Sequence, residues 1–285
     1  LKQSVSEMRR TLRAGSIFVV LMCGFFAGGC NKLHSLLHPQ KENHSKAQPK
    51  ETASARLHAD HESQASAARL AILLDDLGND RGAASAVFSL GYPLTISVLP
   101  NHEYSAEIAQ QAHARGLQVM LHLPMEAQGK EKSERVELKP GMGAATVSKD
   151  LNEMLNSVPH VVGVNNHQGS LATSNEALMS ELMPMLRERN LFFVDSRTTA
   201  ATVAFEVAQR DSVRCAFRNV PFLDDVQSVP AIRKQLELAA RGAKEKGEAI
   251  AIGHPHPETL QALREMLPEL QAQGVLLVHV SDVVH

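Results

Sequence analysis

The chain has 285 residues, 44% of them hydrophobic, and a formal net charge of −2. That length supplies one large α/β domain or two small ones, and the balanced charge argues against the broad basic face that nucleic acid requires. With no Trp and only two Tyr the core must be aliphatic, and any glycan would be held by polar groups and a metal rather than by stacked rings. Three cysteines are too few for a disulfide scaffold, and Cys215, within Val213–Phe217, reads as a small buried residue.

In chain order, the first element is an address. Met8-Arg9-Arg10-Thr11-Leu12-Arg13 is basic, with Met8 a candidate initiator, and the apolar run Ala14–Ala27 follows. That run is too short and too Gly-rich at its end to span a bilayer, and the pattern is that of a secretory signal. Ala27-Gly28-Gly29-Cys30 resembles the lipobox of bacterial lipoproteins, which would make Cys30 the lipidated new N-terminus; an ordinary signal peptide with an incidental cysteine is the alternative. Asn31, rather than Asp, after the cysteine points to the outer membrane, so the expectation is a periplasmic, lipid-anchored protein touching membrane only through its lipid. Residues 31–69 are rich in Lys, His, Ser, Gln and Glu and carry Pro39 and Pro49, which predicts a disordered tether. As a flexible coil its ends would lie on the order of 30–40 Å apart. Its histidines, His34, His38, His44, His58 and His61, read as solvated linker rather than as a metal site.

From residue 70 to 285, short apolar runs alternate with helical patterns. The runs are Leu70–Leu74, Leu94–Leu99, Leu117–Leu123, Val161–Val164, Leu191–Val194, Ala249–Ile252 and Val275–Val280, with a weaker one in Val213–Phe217 or Val220–Leu223. Each has the length of a strand buried on both faces. Leu178, Leu182 and Leu186 repeat at helical spacing, as do Leu260, Leu263, Leu267 and Leu270. Strand–helix repetition predicts a parallel sheet: a distorted (β/α) barrel of seven to eight parallel strands, or an open doubly wound sheet as the rival. No Gly-x-Gly-x-x-Gly follows the first run and no Gly-Lys-Ser/Thr loop occurs, so nucleotide binding is not expected.

In parallel α/β folds chemistry gathers at the carboxyl ends of the strands. There the sequence reads Leu74-Asp75-Asp76-Leu77-Gly78, His122-Leu123-Pro124-Met125-Glu126, Asn165-Asn166-His167-Gln168-Gly169-Ser170, Asp195-Ser196-Arg197-Thr198 and Gly253-His254-Pro255-His256-Pro257. Five strands thus deliver carboxylates, imidazoles or both to one rim. Two adjacent carboxylates after a buried strand raise one another's pKa unless a cation neutralises them. A divalent metal would do so, with one Asp as ligand and its neighbour as base; capping of the next helix is the alternative. His122 is either a ligand or a satisfied core histidine, whereas His167 sits in a polar loop poor in packing material. His254 more directly continues its strand, and His256 reads as only a cap for the helix beginning near Pro257. Oxygen and nitrogen donors of this kind suit Zn²⁺, and a carboxylate base with an imidazole acid suits amide or ester hydrolysis.

Those five motifs resemble the divergent polysaccharide deacetylase family of bacterial periplasmic proteins, distant relatives of NodB-type carbohydrate deacetylases. The resemblance covers essentially the whole body. It implies a NodB-like barrel, a zinc-type site and deacetylation of an N-acetylated glycan. It also implies Asp75 as general base, Asp76 as metal ligand and His254 as general acid. The relatives' His-x-x-x-His motif is here His122-x-x-x-Glu126, so the implied ligand set becomes Asp76, His122 and His167, with Glu126 an alternative ligand or a partner of the ligands. Asn166 and Ser170 are implied in substrate contact or support of the ligands, and Asp195 and Arg197 in orienting His254 or binding substrate, a structural Asp195–Arg197 ion pair being the alternative. The relatives' Arg-x-Pro-Tyr segment has no match.

Two functions follow as expectations. One is a metal-dependent hydrolase removing N-acetyl groups from an envelope polysaccharide or peptidoglycan. The other is a non-catalytic envelope lipoprotein that retains the metal and binds glycan or partner proteins. A third, a phosphodiesterase, is disfavoured by the scarcity of Lys and Arg in the rim motifs.

Overall fold

Strand β1, Ala68–Leu77, alternates strictly between two apolar environments: Leu70, Ile72 and Leu74 join one buried cluster, and Ala71 and Leu73 join another. A strand apolar on both faces must be covered on both, which is the signature of a parallel sheet wrapped by helices. The computed structural model describes residues 67–129 and 131–285. The signal segment, the Cys30 lipobox and the tether up to residue 66 lie outside them.

The described elements, in order, are β1; α1 Arg81–Phe88; β2 Thr95–Val98; α2 Ser105–Ala114; β3 Gln118–Met125; α3 Ala144–Ser157; β4 Val161–Gln168; α4 Glu176–Glu188; β5 Phe192–Asp195; α5 Ala204–Arg210; β6 Cys215–Phe217; α6 Val229–Lys246; β7 Glu248–Gly253; α7 Pro257–Ala272; β8 Val275–Val278; and a 3₁₀ turn at Val280–Val283. Every strand pairing is parallel, in the order β6-β5-β4-β3-β2-β1-β7. Strand β8 takes the early half of β1 (Ala68–Ala71), and β2 takes the later half from Leu73.

The sheet curls into a nearly closed barrel, and the gap between β6 and β7 is spanned by the segment 218–223. Its Arg218 amide donates to the Asp195 carbonyl (3.0 Å), and its Asn219 and Leu223 amides donate to the Ile250 and Ile252 carbonyls (3.0 and 2.8 Å). The weaker run therefore splits: Cys215–Phe217 is the strand, and Val220–Leu223 belongs to the strap that bridges the seam.

The barrel interior holds Ala71, Leu73, Met120, Phe192, Val194, Ile250 and Ile252, closed at one end by Val278, Val280, Val283 and Val284. Gly163 is required here: a Cβ at this position would lie 2.3–2.5 Å from three ring atoms of Phe192, which fills the space above it. The larger cluster lies between sheet and helices and takes in Leu178, Leu182 and Leu186 of α4 and Leu260, Leu263, Leu267 and Leu270 of α7. One step further along the same inward-facing positions, apolar residues give way to Asp75, Ser97, His122, Asn165 and Ser196, all at most 2% exposed.

Candidate metal-dependent active site

The Asp75-Asp76 pair lies within β1, not after it. Between Leu74 and Leu77 the register against β2 slips, with Leu74 opposite Ile96 and Leu77 opposite Val98, so β1 carries an extra residue. Such a bulge re-aims side chains. Asp76 takes the left-handed φ of 60° that this requires, one of the conformations Asp tolerates better than bulky residues. Neighbours that would otherwise face opposite sides of the sheet thus both line one cavity. Gly78 (φ 142°) completes the exit, because a Cβ there would meet the Leu99 carbonyl oxygen at 3.1 Å. Neither aspartate caps the next helix. Asp80 does so, accepting from the Gly82 and Ala83 amides at 2.7 and 3.0 Å.

The cavity, of about 380 Å³, is lined by Asp75, Asp76, His122, Glu131, Asn166, His167, Gln168, Ser170, Thr198, Phe222 and His254. Asp76 Oδ1 stands 3.1 Å from His122 Nε2 and 3.0 Å from His167 Nδ1, and ligating atoms of these three residues all lie within 4.8 Å of one another. His122 comes from β3 and His167 from β4. These strands pair through Pro124↔His167 and Met125↔Gln168, so the polar stretch expected to follow β4 is its last part.

On the other side of Asp76, His254 Nε2 lies 3.8 Å from Oδ2. His254 Nδ1 faces Asp224 Oδ1 at 2.9 Å, and Asp224 Oδ2 accepts from the His254 amide (2.6 Å) and the Thr259 hydroxyl (2.9 Å). Asp75 lies beneath, 1% exposed, with Oδ2 3.6 Å from His122 Nε2. The Asn165 amide nitrogen donates to both its oxygens, at 3.0 and 3.1 Å.

The protonation states divide by environment. Burial raises the Asp75 carboxyl above its ordinary value, against the pull of His122 and His254. Burial also opposes ionisation of Asp76, but hydrogen bonds with His122 and His167 outweigh it and hold that carboxyl far below the usual range. Burial disfavours the cationic form of His254, yet Asp224 and then Asp75 push its pKa up to about 9. One carboxylate kept ionised, a second made more basic and an imidazole held protonated are the elements of acid–base hydrolysis.

The donor set fits a divalent metal of the zinc type. Asp76 offers an ionised oxygen and is 39% exposed to the cavity, and two imidazole nitrogens converge on that oxygen.

Asn166 Oδ1 accepts from the Ser196 amide (2.9 Å) and Ser170 Oγ from the Gln128 amide (2.8 Å), both at the cavity wall. Glu126 is not brought to the cluster: its side chain neither lines the cavity nor joins the metal-capable group, and its carbonyl accepts from the Leu171 and Ala172 amides. Asp195 does not orient His254. Its carboxylate accepts from the Arg197 amide and the Thr202 hydroxyl, both at 2.8 Å, and the Arg197 guanidinium lies 3.4 Å over the Phe217 ring rather than on Asp195. His256 occupies the N-cap position of α7 without a side-chain cap, and its ring faces Gln227 at 3.2 Å. Sequence reasoning missed Asp224, Asn165, Phe222 and Glu131 as site residues. Asp224 directly follows the strap, where no strand end flags it; Asn165 stood in a quoted motif, beside the Asn166 chosen in its place.

Residues 72–284 match the family model described as divergent polysaccharide deacetylase. The uncharacterized protein YibQ of Escherichia coli K12 is 37% identical over 219 residues, covering 77% of this chain and 68% of that protein. Among solved structures, an uncharacterized protein of Agrobacterium tumefaciens C58 superposes with a TM-score of 0.74 at 23% identity, covering 78% of this chain and 91% of that one. The catalytic domain of the peptidoglycan N-acetylglucosamine deacetylase of Eubacterium rectale gives 0.51 at 16% identity, covering 74% and 88%.

Proposed function

From the premise that this chain belongs to the divergent polysaccharide deacetylase family, we propose that it is a metal-dependent hydrolase removing N-acetyl groups from an envelope polysaccharide or peptidoglycan. The observation that carries the reading is the single cavity in which Asp76, His122 and His167 converge, with buried Asp75 and the His254–Asp224 pair on either side. No Lys or Arg occurs among the described residues lining it, which favours an uncharged amide over a phosphate ester. The peptidoglycan deacetylase with a similar fold supports the substrate class.

Asp76, His122 and His167 would hold the metal, zinc by the chemistry of this donor set, and when bound it would supply Lewis-acid polarisation of the acyl carbonyl and acidification of water. Asp75 accepts the proton of the attacking water, a task matched to a carboxyl whose burial has raised its basicity. His254, protonated and oriented by Asp224, gives its Nε2 proton to the departing sugar amine. Lipidation at Cys30, with the tether behind it, would place this domain in the periplasm within reach of envelope glycan.

The test is acetate release from N-acetylglucosamine oligomers and from peptidoglycan. We expect release that is abolished by chelation and restored by one equivalent of zinc, with the far-UV circular dichroism unchanged throughout. Zinc binding without acetate from any of these, in wild type as in Asp75→Asn, would support a non-catalytic envelope protein instead.

A further inference from the structure

Asn165 is wholly buried between the proposed base and a proposed ligand. Its Nδ2 lies 3.0 and 3.1 Å from the two Asp75 oxygens and 3.1 Å from Ser196 Oγ. A carboxylate accepts and does not donate, so the amide's orientation is fixed: nitrogen toward Asp75, oxygen away from it. The outward Oδ1 accepts from the Ser97 hydroxyl and stands 3.1 Å from His122 Nδ1. An acceptor opposite Nδ1 requires a proton there. The other ring nitrogen, Nε2, is then the one that faces Asp76 Oδ1. Hydrogen bonding of one imidazole nitrogen decides which nitrogen is free to ligate.

We propose that Asn165 is a positioning residue whose two ends act on two parts of the site: its N–H₂ fixes Asp75 as base, and its carbonyl fixes His122 as the Nδ1–H form that offers Nε2 to the metal. Ser97 and Ser196 brace the amide, so it cannot turn over without breaking contacts at both ends. The inference rests on the metal-dependent reading of the site.

The two ends can be separated. Asn165→Asp keeps an oxygen acceptor facing His122 and Ser97 but replaces the amide donor by a second carboxyl about 3.0 Å from Asp75, so that the two carboxyls share one proton and Asp75 is no longer free to act as base. We expect its zinc affinity, measured by chelator competition, to stay within about threefold of wild type while kcat falls at least about 100-fold with little change in KM. Asn165→Leu removes both ends, and its zinc affinity should fall about 10- to 100-fold as well. A merely structural role would lower affinity and kcat together in both variants, and that result would overturn the proposal. So would a tenfold loss of zinc affinity in Asn165→Asp. Because either variant could misfold, the wild-type protein supplies an independent readout. In the zinc-loaded chain, long-range ¹H–¹⁵N correlation should show His122 with a proton on Nδ1 and zinc on Nε2, and the reverse assignment would overturn the proposal. A wild type that shows this form yet releases no acetate would reject deacetylation alone, and the affinity and ring-nitrogen readouts would still decide the role of Asn165.

Discussion

At the scale of single residues the site separates groups of the same type by what surrounds them. Asp75 and Asp76 are sequence neighbours, yet one is wholly buried against Asn165 and the other faces two imidazoles across the cavity. Ionised Asp75 costs stability because its burial is not fully compensated. Asp75→Asn is therefore expected to lower kcat for acetate release by about 10²–10⁴-fold while leaving the thermal midpoint unchanged or higher; a lowered midpoint would show that Asp75 instead holds the barrel together. Cys215 shows the opposite use of burial. Its thiol is pushed up to about 11, by burial first and Glu206 second. A folded pKa above the unfolded value means that this stabilisation is complete below about pH 8.5 and is lost as the pH rises toward 11. Site-resolved alkylation with iodoacetamide at pH 8 should accordingly be about 100-fold slower at Cys215 than at a peptide thiol, and comparable rates would contradict the burial.

At the scale of elements, the features that make the site are local departures from regular strand. The β1 bulge and the left-handed Asp76 bring both carboxylates to one cavity, which a regular strand with period two could not do. Strand β4 depends on Gly163, which admits the Phe192 ring to the barrel interior. Gly163→Ala should cost about 1–3 kcal/mol in a urea titration, through overpacking. Because Asn165 follows two residues later on the same face, kcat should fall in this variant too, without any change to a group that touches substrate.

At the scale of the whole molecule, the barrel is completed not by a strand but by the strap 218–223, which carries Phe222 to the cavity wall and leads into Asp224, partner of His254. Asn219 seals it to β7 twice, donating its amide to the Ile250 carbonyl and accepting the Ile250 amide on its side chain at 2.6 Å. Asn219→Ala would leave the buried Ile250 N–H without that acceptor, at a cost of about 1–3 kcal/mol. Hydrogen exchange should accelerate first at Ile250, with the β1 amides still protected; uniform acceleration would mean that the seam is not a separate weak point. The sequence alone determined the strand–helix order, the parallel sheet and the gathering of Asp75, Asp76, His122, His167 and His254 at the strand ends, because alternating burial and strand polarity are written in nearest-neighbour pattern. Tertiary structure alone decided that Asp224, rather than Asp195, pairs with His254, that Glu126 stays out of the cluster, and that Asn165 lies between Asp75 and His122. Those outcomes depend on how strands far apart in the chain stand beside one another when the barrel curls, and on a bulge of one residue, neither of which leaves a periodic trace in the sequence.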